Sequence, residues 1–194
     1  MSRLLTTLTV ATFAAACGPS TGSSTFVGTV GGAALSVKES FVSPLRSSNG
    51  TVNGIGVVLG DQTGLCTQLK SNRTIKNMTY TVIFLANVSS SLVSTAPSGP
   101  GEFVVMTGQG GLPAGNDAQS FFAKLDGSCQ NTLTAEQTTG QSGLVKVTSL
   151  SLTTNGSLRG SFDITYGTQK DKTSGTLDAP FCELPIMTSS PSCE

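Results

Sequence analysis

The sequence predicts an all-β protein, an antiparallel β-sandwich or barrel of about nine strands with few or no helices. Short apolar runs alternate with turn residues along the chain, which contains 23 glycines and is 37% hydrophobic. Thr and Val suit half-buried pleated surfaces, and Gly marks turns. Helices of ~10–15 residues, which a βαβ arrangement needs between its strands, are not indicated.

The candidate strands are runs of alternating or continuous apolar residues, at 25–30, 33–42, 54–59, 78–85, 102–106, 120–125, 144–152, 158–166 and 175–181. Gly31-Gly32 predicts a hairpin between the first two. Leu65 and Leu69, at i and i+4, predict a short helix within 64–71. Long loops are expected at 86–101 and 107–118, and loops of that length are often functional.

The aromatic residues are predicted mainly as core. Alternation along 120–125 places Phe121 inward and leaves Phe122 on the polar face beside Lys124. Tyr80 and Tyr166 also fit inward-facing patterns. A sugar-stacking platform built from these four aromatic residues is the alternative.

The last two strands share the pattern G-[ST]-[FL]-D-[IA], at 160–164 and 175–179, which predicts a C-terminal hairpin. If its turn centres between Lys170 and Asp171, then Asp163 and Asp178 face each other across the strands. Such a carboxylate pair could bind Ca²⁺ or share a proton. Alternatively, Arg159 or water relieves the repulsion, or the register differs.

The N-terminus has the pattern of an export signal. Arg3 precedes an uncharged, mostly apolar run that is too short to span a bilayer and ends in Ala14-Ala15-Ala16-Cys17. Small residues followed by cysteine resemble the lipobox of bacterial lipoproteins, although Ala14 stands where that family prefers Leu. The resemblance implies cleavage after residue 16 and lipid on Cys17; an ordinary signal peptide is the alternative.

The remaining boundaries follow from this signal. We expect a signal peptide at 1–16, lipidated Cys17 with a flexible tether at 17–25, one β domain at 26–188 and a polar tail at 189–194. The ending GSFDITYG…SGTLDAPFC resembles small, mostly uncharacterised lipoproteins of Gram-negative bacteria and implies no activity. Gly18 is not the Asp that marks inner-membrane retention in such proteins, which favours the outer membrane.

The chain has five cysteines, an odd number for an exported protein. If Cys17 carries lipid, the remaining four, Cys66, Cys129, Cys182 and Cys193, can form two disulfides in an oxidising compartment. Three connectivities are possible, and we favour Cys66–Cys129 with Cys182–Cys193. Zinc binding is disfavoured because there is no C-x-x-C pair and no histidine.

Composition narrows the function. The formal net charge is zero with 11% charged residues, which argues against a nucleic-acid partner. A Ser-His-Asp triad cannot be built without histidine, and no cofactor is indicated. Asn116, Asp117 and Asp126 could offer oxygen ligands, but Asn and Asp in such loops are mostly turn formers.

Three functions therefore stay open. The first is a non-enzymatic structural or interaction module of the cell envelope, held at the membrane by its lipid, whose protein or glycan partner meets the 86–118 loops. The second is a module that binds a carbohydrate or small ligand on one sheet face. The third is a hydrolase built on two carboxylates.

Overall fold

The structure, a computed structural model, describes residues 22–107, 114–186 and 192–193. The predicted signal peptide and Cys17 lie outside these residues, as do parts of the 107–118 loop and of the polar tail. Of the described residues, 56% are in β structure and 6% in helix. The all-β prediction is confirmed at this level.

The elements, in chain order, are β1 (Val27–Val30), β2 (Ala33–Ala34), β3 (Glu39–Arg46), β4 (Val52–Gly60), α1 (Leu65–Lys70), β5 (Arg73–Thr74), β6 (Thr79–Val88), β7 (Ser94–Thr95), β8 (Gly101–Met106), β9 (Gly115–Lys124), α2 (Ala135–Thr138), β10 (Gly140–Leu150), β11 (Ser157–Tyr166), β12 (Asp171–Pro180) and β13 (Ser192–Cys193). Gly31 and Gly32, with φ of 55° and 76°, form the two-residue turn of the predicted β1–β2 hairpin. The short helix predicted within 64–71 is α1.

Ten strands form one curled sheet in the order β2-β1-β12-β11-β10-β8-β9-β6-β4-β3, and β7 pairs with β6. All neighbours in this sheet are antiparallel except β8 and β9, which are parallel. The architecture is thus a mixed half-barrel, and the strictly antiparallel sandwich or barrel that we expected is not formed.

The curled sheet does not close into a barrel, because β3 and β12 are not joined by a continuous ladder of hydrogen bonds. A single bridge, Val42 to Phe181, replaces a continuous ladder, and Ser40 Oγ donates to the Asp178 carbonyl at 3.1 Å. Residues 22–25 add to this seam, because the Asp178 amide donates to Ser24 Oγ at 2.9 Å. Residues 22–25, which lie within the segment that we expected to be a tether, are therefore packed against the β domain.

The main core fills the inner, concave face of the sheet. Phe122 is fully buried there, with ring centroids 5.7 Å from Phe26 and 6.2 Å from Tyr166. The sequence-based assignment of Phe122 to the polar face was wrong, and Phe121 lies on the opposite, outer face instead. Alternation cannot tell the inner from the outer face here, because both faces of β9 are covered and the apolar residues at 121–123 are contiguous.

A second apolar cluster lies on the outer face, where α1 covers the sheet. Its fully buried members are Phe41, Leu65, Met78, Ala123, Leu125 and Cys182. The helix begins above the buried Glu39, whose carboxylate accepts hydrogen bonds from the amides of Gly64, Leu65 and Cys66. An acidic group among the free amides of a helix N-terminus compensates the positive end of the helix dipole.

The disulfides are Cys66–Cys182 and Cys129–Cys193, so the favoured pairing was wrong. Cys66, on α1, faces the chain as it leaves β12 at Cys182. Cys193 lies on β13, which runs parallel to β5 and so approaches Cys129. Proximity along the chain, on which the favoured Cys182–Cys193 pair depended, does not decide the pairing in this fold.

Candidate functional site

The predicted carboxylate pair is not formed. In the C-terminal hairpin Asp163 is opposite Ser174, and Asp178 is opposite Arg159. Four residues separate the two positions along the strands, which corresponds to ~13 Å. Arg159 Nε lies 3.3 Å from Asp178 Oδ1, so this carboxylate has its own cation. The weak metal candidates therefore do not come together, because the turn occupies 167–170, two residues earlier than assumed.

The three loop candidates, Asn116, Asp117 and Asp126, have different roles. Asp126 Oδ1 accepts from the amides of Ser128 and Gln130 at 2.8 and 3.0 Å, which makes it a turn former. Asn116 is exposed at the start of β9. Asp117 differs from both because it is 4% exposed. Among the described residues, no group of three or more His, Cys, Asp or Glu side chains is placed to hold a metal ion.

The aromatic candidates divide between the two faces of the sheet. Tyr166 is in the main core, where its hydroxyl hydrogen bonds to Thr81 Oγ1 at 2.9 Å and to Ser120 Oγ. Burial raises the pKa of Tyr166, while these two hydrogen bonds act in the opposite direction. Tyr80 and Phe121 are half-buried in the outer cluster, and burial raises the pKa of Tyr80. The concave face is filled by core side chains and offers no platform for a sugar.

A cavity of about 350 Å³ lies on the outer face of the sheet, and we call it the Asp117 cavity. It is lined by Leu45, Asn53, Gly54, Phe84, Leu85, Ala86, Ser94, Asp117 and Gln119. Gly54 on β4 forms part of the wall of this cavity. A Cβ at Gly54 would lie 2.9 Å from the Leu85 carbonyl oxygen, so the backbone packing itself favours glycine.

The carboxylate of Asp117 is the unusual group in this cavity. Its Oδ2 is buried and has no hydrogen-bond partner, although buried polar atoms are nearly always satisfied. Its strand neighbours are Ala86 on β6 and Val104 on β8, and neither side chain offers a hydrogen bond. Burial raises the pKa of Asp117 above the usual 3.8, since an apolar environment disfavours the charged form.

Beside the cavity, the outer face next to Asp117 carries two exposed apolar side chains and one ion pair. Val104 is 52% exposed, and its partner on β10, Leu144, is 38% exposed. Two residues further along the same two strands, Lys146 Nζ lies 3.3 Å from Glu102 Oε1, so these two charges offset each other. Asp117 itself has no ion-pair partner among the described residues.

The sequence contains a signal for this site in the strand that becomes β9. The sequence predicts a strand from Ser120 and a loop at 107–118, whereas β9 begins at Gly115. Extending the alternation backward from Phe121 places Gln119 and Asp117 on the same outer face. When a charged residue falls on the same face of a strand as its apolar residues, it indicates either a buried ion pair or a functional group.

A second outer-face cavity of about 340 Å³ lies beside α1 and is lined mainly by apolar residues, Val58, Leu65, Leu69, Ile75, Met78, Tyr80 and Val82, with Arg73 and Thr74. It lacks an unsatisfied buried polar atom, so we consider the Asp117 cavity the better candidate.

Within residues 22–107 and 114–186, no helix is long or apolar enough to span a bilayer. Comparison with known proteins found no match to this chain among protein families, curated proteins or solved structures. The geometry of the site is therefore the basis for assigning a function.

Proposed function

We propose that the protein is an exported lipoprotein, anchored through Cys17 to the outer membrane of a Gram-negative bacterium, whose β domain is a binding module of the cell envelope. The single observation that carries the binding role is the buried, unpartnered carboxylate of Asp117 in an apolar cavity. Such a group opposes folding, and proteins retain groups of this kind mainly where function requires them.

The position of the cavity supports an interaction role. Ala86, Ser94 and Asp117, which line it, belong to the 86–118 segment expected to meet a partner. We favour binding over hydrolysis because Asp117 is the only acid among the described lining residues, whereas glycoside hydrolysis uses two carboxyl groups.

The anchor is tested by metabolic labelling with an alkyne analogue of palmitate. Wild-type protein should incorporate the label, and Cys17→Ser should not. Ser20→Ala, three residues further on, is the matched control and should label normally. Absence of label from the wild-type protein would contradict the anchor, and the protein would then be secreted in free form.

The binding role is tested separately by an NMR screen of small soluble fragments against full-length protein carrying Cys17→Ser. We expect the amide shifts caused by bound fragments to cluster at the Asp117 cavity, for example at Ala86, Ser94 and Gln119. Hits scattered over the surface, or no hits, would contradict a binding module at this site.

A further inference from the structure

The free polar groups of the Asp117 cavity are few and define what it can recognise. The Ser94 hydroxyl is already used, since its Oγ donates to the Asn53 carbonyl at 2.6 Å. The Asp117 Oδ2 is unpaired, and Gln119 lies two residues along the same face of β9. Asn53 also lines the cavity and is exposed, and the side chains of Leu45, Phe84 and Ala86 form its apolar part.

We infer that the Asp117 cavity binds a small organic ammonium ion with a hydrophobic body: the ammonium group pairs with the Asp117 carboxylate, and the body packs against Leu45, Phe84 and Ala86. This inference rests on the proposed binding function and specifies its ligand class. A protonated amine supplies both the charge and the N–H donors that the carboxylate lacks.

Other cations fit the cavity less well. A calcium ion takes ~6–8 oxygen ligands, and the cavity offers one carboxylate. Lys146, a cation on the same face, is paired with Glu102. A ligand that brings its own positive charge would therefore not compete with an internal ion pair.

The exposed apolar surface around the cavity fits the hydrophobic part of such a ligand. Val104 is the register partner of Asp117, and Leu144 follows it on β10, so both extend the apolar surface beside the carboxylate. Val93, 57% exposed, directly precedes the lining residue Ser94. Small-molecule sites typically have volumes of ~300–1,000 Å³, mostly apolar walls and a few polar groups that fix orientation.

The test compares two probes of nearly equal size and shape, phenethylammonium and the uncharged 2-phenylethanol, by NMR titration of full-length protein carrying Cys17→Ser. The ammonium probe should bind at least tenfold more tightly than the alcohol at pH 7, and Asp117→Asn should abolish this preference. Glu136→Gln removes an exposed acid on α2 that does not line the cavity, and as the matched control it should leave the preference unchanged. Equal binding of both probes, or an unchanged preference in Asp117→Asn, would overturn the inference.

A second variant keeps the carboxylate and fills the space. Ala86→Phe places a ring in the cavity beside Asp117, and binding of the ammonium probe should weaken at least tenfold. Unchanged binding to Ala86→Phe would place the probe elsewhere and refute the inference. If neither probe binds while uncharged fragments still cluster at the cavity, the ammonium inference fails and the proposed binding function stands.

Discussion

Removing the two disulfides one at a time should destabilise the protein to very different extents. Cys66–Cys182 spans 116 residues and Cys129–Cys193 spans 64. Loop-closure entropy alone assigns about 4.8 and about 4.3 kcal/mol to bridges of these spans, because the cost depends only weakly on length. Chain entropy by itself therefore predicts nearly equal effects.

The folded state makes the two bridges unequal. Cys182 is 3% exposed and packs in the outer cluster with Leu65, so the chain remains fixed there when the bridge is removed. Cys193 is exposed, and the described part of its segment, β13, pairs with β5 over two residues. Without its bridge this segment is released in the folded state as well, which offsets much of the entropy gained on unfolding.

We expect Cys66→Ala/Cys182→Ala to lose about 3–5 kcal/mol of unfolding free energy, and Cys129→Ala/Cys193→Ala to lose less than about 2 kcal/mol. The assay is guanidinium unfolding followed by circular dichroism, with the midpoint and the slope fitted separately. Equal losses, or a larger loss for the second pair, would refute the argument that packing of the bridged segment decides the outcome.

Three further predictions concern single side chains. Folding raises the pKa of Asp117, so the charged carboxylate destabilises the folded state at neutral pH. Asp117→Asn should therefore stabilise the protein at pH 7 by about 1 kcal/mol. Melting curves should show this gain shrinking as the pH falls towards 3.8, because the folded carboxyl group becomes protonated. Glu39→Ala leaves three helix amides without their acceptor and should cost about 1–3 kcal/mol in chemical denaturation. Tyr166→Phe should cost only about 1 kcal/mol in the same assay, because Thr81 and Ser120 keep hydrogen bonds to backbone carbonyls.

The strand positions could be predicted from the sequence because they depend on the local alternation of apolar and polar residues. Every predicted strand overlaps a strand of the main sheet, and the clearest one, 158–166, nearly coincides with β11. The two-residue strands β5, β7 and β13 were missed, since so short a segment contains no period. The parallel pairing of β8 with β9 and the open seam at β3 depend on contacts between distant segments, which local patterns do not encode.

The candidate site was predicted less well, for two physical reasons. The prediction that Asp163 and Asp178 lie opposite each other depends on where the hairpin turn is centred. In the structure the turn is centred two residues earlier, so each carboxylate lies opposite a different residue. The sequence places Asp117 in a predicted loop, and its burial depends on the register of β9 against β6. A buried charge follows from three-dimensional packing, which a residue type alone does not reveal.

The most direct test of the account is an NMR titration of the Asp117 carboxyl carbon, with and without saturating phenethylammonium. A buried and unpartnered carboxylate should titrate above 3.8 in the free protein, and an ammonium ligand should lower its pKa because the cation stabilises the charged form. A pKa at or below 3.8 in the free protein, unmoved by the ligand, would mean that the carboxylate is already solvated or paired, and it would contradict the account.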